Sequence, residues 1–170
     1  MKLSFTLISI LFCSTGLFAQ SALNCDLGLS YHKVETFLGA KSFVTVNYES
    51  ADRIVARTEN HVVTYYFHQE VLYKTDLVVS FANEKDAAET VRSFRNYYDL
   101  ARAEILDLDT DKDHPRFAAL HGREIHEVAQ VNLDRRTTQV RQSKMDLDRC
   151  PGNDLKELSN DELLFSMLYK

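Results

Sequence analysis

Alternating apolar and polar positions run through the middle of the chain and predict β-strands. Six segments are rich in β-branched and aromatic residues, namely 43–48, 53–58, 61–67, 71–81, 124–133 and 135–145. Only three polar residues separate 61–67 from 71–81, and only one residue separates 124–133 from 135–145. This spacing predicts antiparallel hairpins.

A period of three to four residues replaces the alternation after the fourth segment and predicts a long helix. Asn83 is its N-cap, and Ser30 caps a shorter helix over 31–38. Ser159 and Glu162 form a capping box that opens a third helix, which ends at Leu168. The apolar stripe of the long helix contains Ala87, Val91, Phe94, Tyr98 and Ala101. We therefore predict an α+β fold: an antiparallel sheet of about five or six strands, one long helix packed on one face, and short terminal helices.

The first residues have the order of a secretory signal peptide. Lys2 is followed by an apolar run over 3–18 and by Ala19, after which we expect cleavage. The run is shorter than the roughly 20 apolar residues of a membrane span, and serines interrupt it. We predict a signal peptide over 1–19 and a single α+β domain over 20–170, which is secreted or periplasmic and has no stable membrane anchor after cleavage.

The charge balance argues against nucleic acid as a partner. The chain has 20 basic and 25 acidic residues, a net charge of −5, and loss of Lys2 would make it −6. Nucleic acids and anionic lipids are bound by basic surfaces. We expect the partner to be another protein.

Cleavage would remove Cys13 and leave Cys25 and Cys150. Two cysteines in an exported chain favour a disulfide, which here would stabilise the fold by roughly 4–5 kcal/mol through loop closure. Two separate thiols are the alternative. A redox pair is disfavoured, because the chain has no C-x-x-C motif.

The acidic run over 107–113 has the opening spacing of a calcium loop. Such a loop requires glycine at its sixth position and glutamate at its twelfth, but this chain has Lys112 and Ala118 there. The run is therefore expected to be a solvated loop.

No other motif assigns a metal, a cofactor or a catalytic residue. The six histidines lack the spacing of a zinc site and are expected to be ordinary surface residues. The chain has neither a G-x-S-x-G turn nor a glycine-rich phosphate loop. We therefore predict no cofactor and leave the question of an enzyme open, with a non-enzyme favoured.

A group of tyrosines provides the candidate binding residues, which are Tyr65, Tyr66 and Tyr73. Neighbours on a strand point to opposite faces, so one of Tyr65 and Tyr66 should be in the core while the other can line a surface. Exposed tyrosine is a common anchor of protein interfaces.

The segment 27–39 reads Leu-Gly-Leu-Ser-Tyr-His-Lys-Val-Glu-Thr-Phe-Leu-Gly, and strands 62–67 and 72–81 follow it. Residues 27–81 resemble small envelope modules of the β-lactamase-inhibitor-protein-like and outer-membrane-assembly-lipoprotein class. This resemblance implies a short helix followed by a strand meander, and protein–protein binding in a cell envelope rather than catalysis.

The sequence leaves three functions open. The favoured one is an exported, non-catalytic binding or assembly module of a cell envelope or extracellular space. A small ligand- or lipid-binding carrier domain would need an apolar cavity between helix and sheet. A small exported hydrolase would need a cleft where Asp, Glu or His side chains converge.

Overall fold

The computed structural model describes residues 23–109, 115–133 and 137–154. The predicted signal peptide, the predicted helix over 159–168 and most of the acidic run lie outside the described residues. A helix, four strands, a second helix and four more strands follow one another along the described ranges. They are α1 (Tyr31–Gly39), β1 (Thr45–Ser50), β2 (Arg53–Arg57), β3 (His61–His68), β4 (Val71–Phe81), α2 (Glu84–Leu100), β5 (Glu104–Asp109), β6 (Arg116–His121), β7 (Glu124–Asn132) and β8 (Thr138–Asp146).

The predicted fold class is wrong in both its sheet and its helix layer. The strands form one eight-stranded antiparallel sheet rather than a sheet of five or six strands. The longer helix α2 does not cover the whole sheet either, because it packs on the half that contains β5, β7 and β8. The shorter helix α1 covers the other half.

The strands β5 and β6 account for the error in strand number. Asp107 belonged to the expected acidic loop, but it lies in β5 and pairs with Arg95 of α2 through two hydrogen bonds. The sequence favours a helical turn over Phe117–Leu120, but these residues, which include the alanine pair Ala118-Ala119, lie in β6. Both alanines are fully buried, and they pack in clusters on opposite faces of the sheet. Burial on both faces removes the alternation by which a strand is recognised.

The sheet has the order β1-β2-β3-β4-β8-β7-β6-β5. Each half is a helix followed by a meander of four strands, and the two halves meet where β4 pairs with β8 along eight residues. β4 and β8 are each the last strand of their half, and they pair in antiparallel orientation. The strand order and direction of one half are therefore related to those of the other by an approximate two-fold axis normal to the sheet. The sequence shows no corresponding repeat.

Both helices lie on one face of the sheet. Leu77 of β4 packs against the cluster under α1, and its cross-strand partner Gln142 of β8 donates a hydrogen bond to Tyr98 of α2. Directly paired residues in an antiparallel sheet point to the same face. We call this the helix face and the other the open face.

The two helix starts differ in their capping. The Asn83 side chain accepts a hydrogen bond from the backbone N–H of Asp86 at 2.9 Å, which confirms the predicted cap of α2. The Ser30 side chain makes no such bond. Its carbonyl instead accepts from the backbone N–H of Val34 at 3.1 Å, as in any first helical turn.

Candidate functional site

A bulge in β4 shapes the open face beside β3. Tyr66 pairs with Lys74, but the next residue of β3 pairs with Leu72, so Tyr73 is an extra residue in β4. Such a bulge redirects side chains locally. Leu72 remains in the helix-face cluster, whereas Tyr73 packs on the open face together with Tyr66.

These two tyrosines line a cleft of about 310 Å³ at the end of β2, β3 and β4. The other lining residues are Ser50, Asp52, Arg53 and Phe67. The hairpin turn from β1 to β2 therefore supplies the polar wall, and the bulged hairpin from β3 to β4 supplies the aromatic wall. We refer to this site as the Tyr66–Tyr73 cleft.

Both phenols of the cleft are held in their neutral form. Burial and the neighbouring carboxylate of Asp76 raise the pKa of Tyr66 to about 12. Burial also raises the pKa of Tyr73, and the Asp154 carboxylate, which accepts a hydrogen bond from its hydroxyl at 2.8 Å, raises it further. Each hydroxyl thus keeps its proton at neutral pH, and the Tyr73 hydroxyl uses that proton in its hydrogen bond to Asp154.

The charged groups around the cleft are mostly paired within the chain. Arg53 forms an ion pair with Glu49 at 2.6 Å. The Lys74 ammonium lies 5.0 Å from the centre of the Tyr66 ring and 3.6 Å from the Asp76 carboxylate. One oxygen of that carboxylate, Asp76 Oδ1, is buried and has no hydrogen-bond partner among the described residues. The site therefore offers an aromatic surface with charged groups beside it that are already paired within the chain.

The structure brings together two of the three predicted binding residues. Tyr66 is half-buried, and Tyr73 is 7% exposed. Tyr65 is fully buried on the helix face and donates a hydrogen bond to the carbonyl of Leu23 at 2.5 Å, so it does not line the cleft. The alternation of Tyr65 and Tyr66 was predictable, but the bulge that joins Tyr73 to Tyr66 has no signal in the sequence.

The predicted disulfide is not present in the structure, where both cysteines are free thiols. Cys25 is buried in the cluster beneath α1, whereas Cys150 packs in the cluster on the open face. The thiols thus lie on opposite sides of the sheet, which sequence position alone could not show. Burial raises the pKa of Cys25 to about 11.

The expectation that all six histidines are surface residues is wrong for two of them. His61 and His126 are 8% and 6% exposed. His126 Nδ1 lies 2.8 Å from the Tyr98 hydroxyl, and its Nε2 lies 3.1 Å from a carboxylate oxygen of Glu124. Burial and the nearby Lys144 lower the pKa of His126 to about 4, so the ring is neutral at physiological pH. A neutral ring that accepts from Tyr98 and donates to Glu124 satisfies both nitrogens.

The beginning of the acidic run has a structural partner. The Arg95 guanidinium lowers the pKa of Asp107 through their hydrogen bonds. Within the described ranges, no group of three or more His, Cys, Asp or Glu side chains is arranged to hold a metal ion.

Comparison of the chain with protein-family models finds no match, and comparison with curated proteins finds none either. In the part of the chain that the structure describes, neither helix has the length and apolar character needed to cross a lipid bilayer. What the molecule does is therefore inferred from its geometry.

Proposed function

We propose that this chain is an exported, non-catalytic protein-binding module that engages its partner at the Tyr66–Tyr73 cleft. The observation that carries the proposal is the position of the cleft. Two of its lining residues, Tyr66 and Tyr73, lie on the open face, which neither α1 nor α2 covers, and the Tyr66 ring is half-buried.

The chemistry of the cleft suits recognition of a polypeptide. Protein interfaces are enriched in tyrosine and arginine, and their strongest contacts are aromatic anchors set among polar groups. Tyr66 and Tyr73 provide the aromatic surface, and Arg53 provides the guanidinium.

The resemblance of residues 27–81 to envelope binding modules supports the same function. It implies a short helix followed by a meander, and α1 is followed by the meander β1 to β4. The cleft lies within this part of the chain, except for the contact of Tyr73 with Asp154.

The other two functions have less support. A carrier would hold its ligand between helix and sheet, but fully buried side chains of Val34, Leu38, Ile54 and Leu72 pack together in that layer. A hydrolase would need a cleft where Asp, Glu or His side chains converge. Among the described residues, Asp52 is the one carboxylate that lines the Tyr66–Tyr73 cleft, and no histidine lines it.

Photo-crosslinking tests this proposal. Tyr66 is replaced by p-benzoylphenylalanine in the full chain, which is then exposed to an envelope extract of the source cells. Tyr97 on α2 is 64% exposed and gives the matched control on the helix face. We expect a discrete protein adduct from position 66 that excess wild-type chain suppresses, and no such adduct from position 97.

The adduct then allows an affinity measurement. Loss of an anchor costs at least about 2 kcal/mol, so Tyr66→Ala should weaken binding of the identified partner roughly 30-fold. Tyr97→Ala should change it less than about threefold. Circular dichroism confirms that both variants are folded. Equal adducts from both positions, or none from position 66, would overturn the proposal.

A further inference from the structure

The two edge strands of the sheet differ in their protection against pairing with another strand. β5 contains three acidic residues, Glu104, Asp107 and Asp109, whereas β1 contains only Glu49, which is already paired with Arg53. Charged side chains are a common protection of an edge strand. Within the described ranges, β2 is the one strand that pairs with β1. The outer side of β1 is therefore the edge that is more open to pairing.

Apolar side chains are exposed along this edge. Tyr48 of β1 is 48% exposed, and Phe43, just before the strand, is 60% exposed. Tyr48 pairs directly with Ile54, a residue of the cluster beneath α1, so both side chains point to the helix face. Val46 lies two residues earlier in β1 and packs against the same cluster. A strand added to β1 would therefore extend the apolar layer beneath α1.

The sequence of β1 is complementary to itself in an antiparallel pair. If Asn47 lies opposite Asn47 of a second copy, Val46 of each strand lies opposite Tyr48 of the other. Aromatic and β-branched residues form favourable cross-strand pairs, and an amide side chain can both donate to its copy and accept from it. In this register Glu49 lies nearest Thr45, which is uncharged. The pair therefore gains side-chain contacts without opposing like charges at these positions.

The regular part of β1 contains the centre of this pair. The irregularity in its pairing with β2 comes after Tyr48, so residues 45–48 form a regular edge. A strand of an unrelated protein would gain the backbone hydrogen bonds alone, whereas a second copy also gains two pairs of Val46 with Tyr48. The strand is about 20 Å long, which is short for an interface of the standard size of roughly 1,600 Å². We therefore expect weak association, with a Kd of the order of 10–100 μM.

We propose that this chain forms a weak homodimer in which β1 pairs in antiparallel orientation with β1 of a second copy, centred on Asn47. A two-fold axis normal to the sheet relates the copies, so their helix faces lie on one side of the joined sheet and their open faces on the other. The inference does not rest on the proposed function, because it requires neither the Tyr66–Tyr73 cleft nor another protein. A monomer would refute the dimer and leave the cleft proposal untouched.

Sedimentation velocity of the purified full chain tests the proposal between about 1 and 200 μM, a range that brackets the expected Kd. We expect a reversible shift from monomer to dimer. Asn47→Lys sets two ammonium groups opposite each other and should raise the Kd roughly fivefold or more. Asn96→Lys makes the same change at an exposed position on α2 and should leave the Kd within about twofold. Circular dichroism confirms that both variants are folded. A monomer at every concentration, species larger than a dimer, or equal effects of both variants would overturn the proposal.

A charge swap at the same position tests the register. Asn47→Asp alone should also dimerise weakly, but its equimolar mixture with Asn47→Lys places opposite charges across the axis and should dimerise at least as tightly as wild type. A mixture that dimerises no more tightly than either variant alone would mean that Asn47 does not face its copy, and the proposal would be wrong.

Hydrogen exchange of the wild-type chain locates the contact without a substitution. As the concentration rises over the same range, exchange of the outward-facing amides of β1 should slow, while exchange in β5 should stay unchanged. Slowing in β5, or in neither edge strand, would contradict the assignment of the interface to β1.

Discussion

Acidification should destabilise this protein through one buried side chain, His126. The ring packs against Tyr98 with its centre 5.0 Å from that of the tyrosine ring, and its two nitrogens lie within hydrogen-bond distance of Tyr98 and Glu124. A proton on Nδ1 would remove the acceptor for the Tyr98 hydroxyl and place a positive charge on a residue that is only 6% exposed. The ammonium of Lys144, 3.4 Å from the same carboxylate oxygen of Glu124, opposes that charge.

The size of the effect follows from the difference in pKa. The unfolded chain binds a proton at His126 with a pKa near 6.5, whereas the folded protein does so only at about 4. Between these values the unfolded state takes up more protons, so the free energy of unfolding falls as the pH falls. The contribution of the neutral His126 ring to the free energy of unfolding is fully present above pH 6.5. Between pH 7.5 and pH 4 this contribution falls by roughly 3 kcal/mol.

Urea unfolding followed by far-ultraviolet circular dichroism measures this loss. Carboxylates contribute to acid unfolding as well, so the informative quantity is the difference between wild type and His126→Gln at each pH. Glutamine retains a donor and an acceptor but does not titrate. We expect the variant to be less stable at pH 7.5 and the difference to shrink by roughly 3 kcal/mol towards pH 4. His32→Gln, at an exposed position on α1, should follow the wild-type curve.

Two results would contradict a neutral, desolvated ring at His126. The first is a difference between wild type and His126→Gln that stays constant within about 0.5 kcal/mol across the pH range. The second is a titration of the His126 ring by nuclear magnetic resonance with a midpoint above 6. Either would mean that the ring is solvated or charged in the folded protein.

Two further predictions concern the helix caps and the cysteines. Asn83→Ala should lower the free energy of unfolding in urea by about 1 kcal/mol, because the Asn83 side chain caps α2. Ser30→Ala should lower it by less than about 0.5 kcal/mol, because the Ser30 side chain makes no capping bond. A cost for Ser30→Ala equal to that for Asn83→Ala would contradict this assignment. In the non-reduced chain without its predicted leader, a thiol assay should count two thiols. Half-buried Cys150 should react well before Cys25, because Cys25 is buried and its pKa is raised to about 11. A count of zero would show that the two cysteines are bridged.

Local signals in the sequence predicted those elements that local chemistry determines. Asn83 capped α2 as expected, and the apolar stripe put Ala87, Val91 and Tyr98 into the core. The hairpin of β7 and β8 also formed where alternating residues predicted it. In each case, the residues that form the element carry the pattern that identifies it.

Elements defined by distant contacts were not predictable in this way. Asp107 suggested a loop because its partner Arg95 lies on another element. Ala118 and Ala119 lie in a strand and are buried in clusters on opposite faces of the sheet, which their helix propensity does not reveal. His126 is buried because the second helix packs over β7.

The cleft shows the same division between local and distant causes. Strand alternation placed Tyr65 and Tyr66 on opposite faces, and their exposure agrees. Which of the two would be buried depended on the face that α1 covers. Tyr73 joined Tyr66 only because β4 contains one extra residue, and a bulge of this kind leaves no mark on the hydrophobic pattern.

Buried polar groups occur on both faces of the sheet. On the helix face, the hydroxyls of Tyr65 and Tyr98 have hydrogen-bond partners within the chain, whereas Asn132 Oδ1 is buried with none among the described residues. On the open face, Asp76 Oδ1 is likewise buried with no partner among the described residues. Buried acceptors without a donor are thus found on both faces, so they do not select a binding surface. The proposal that a partner binds on the open face rests instead on the half-buried Tyr66 ring and the cleft that it lines.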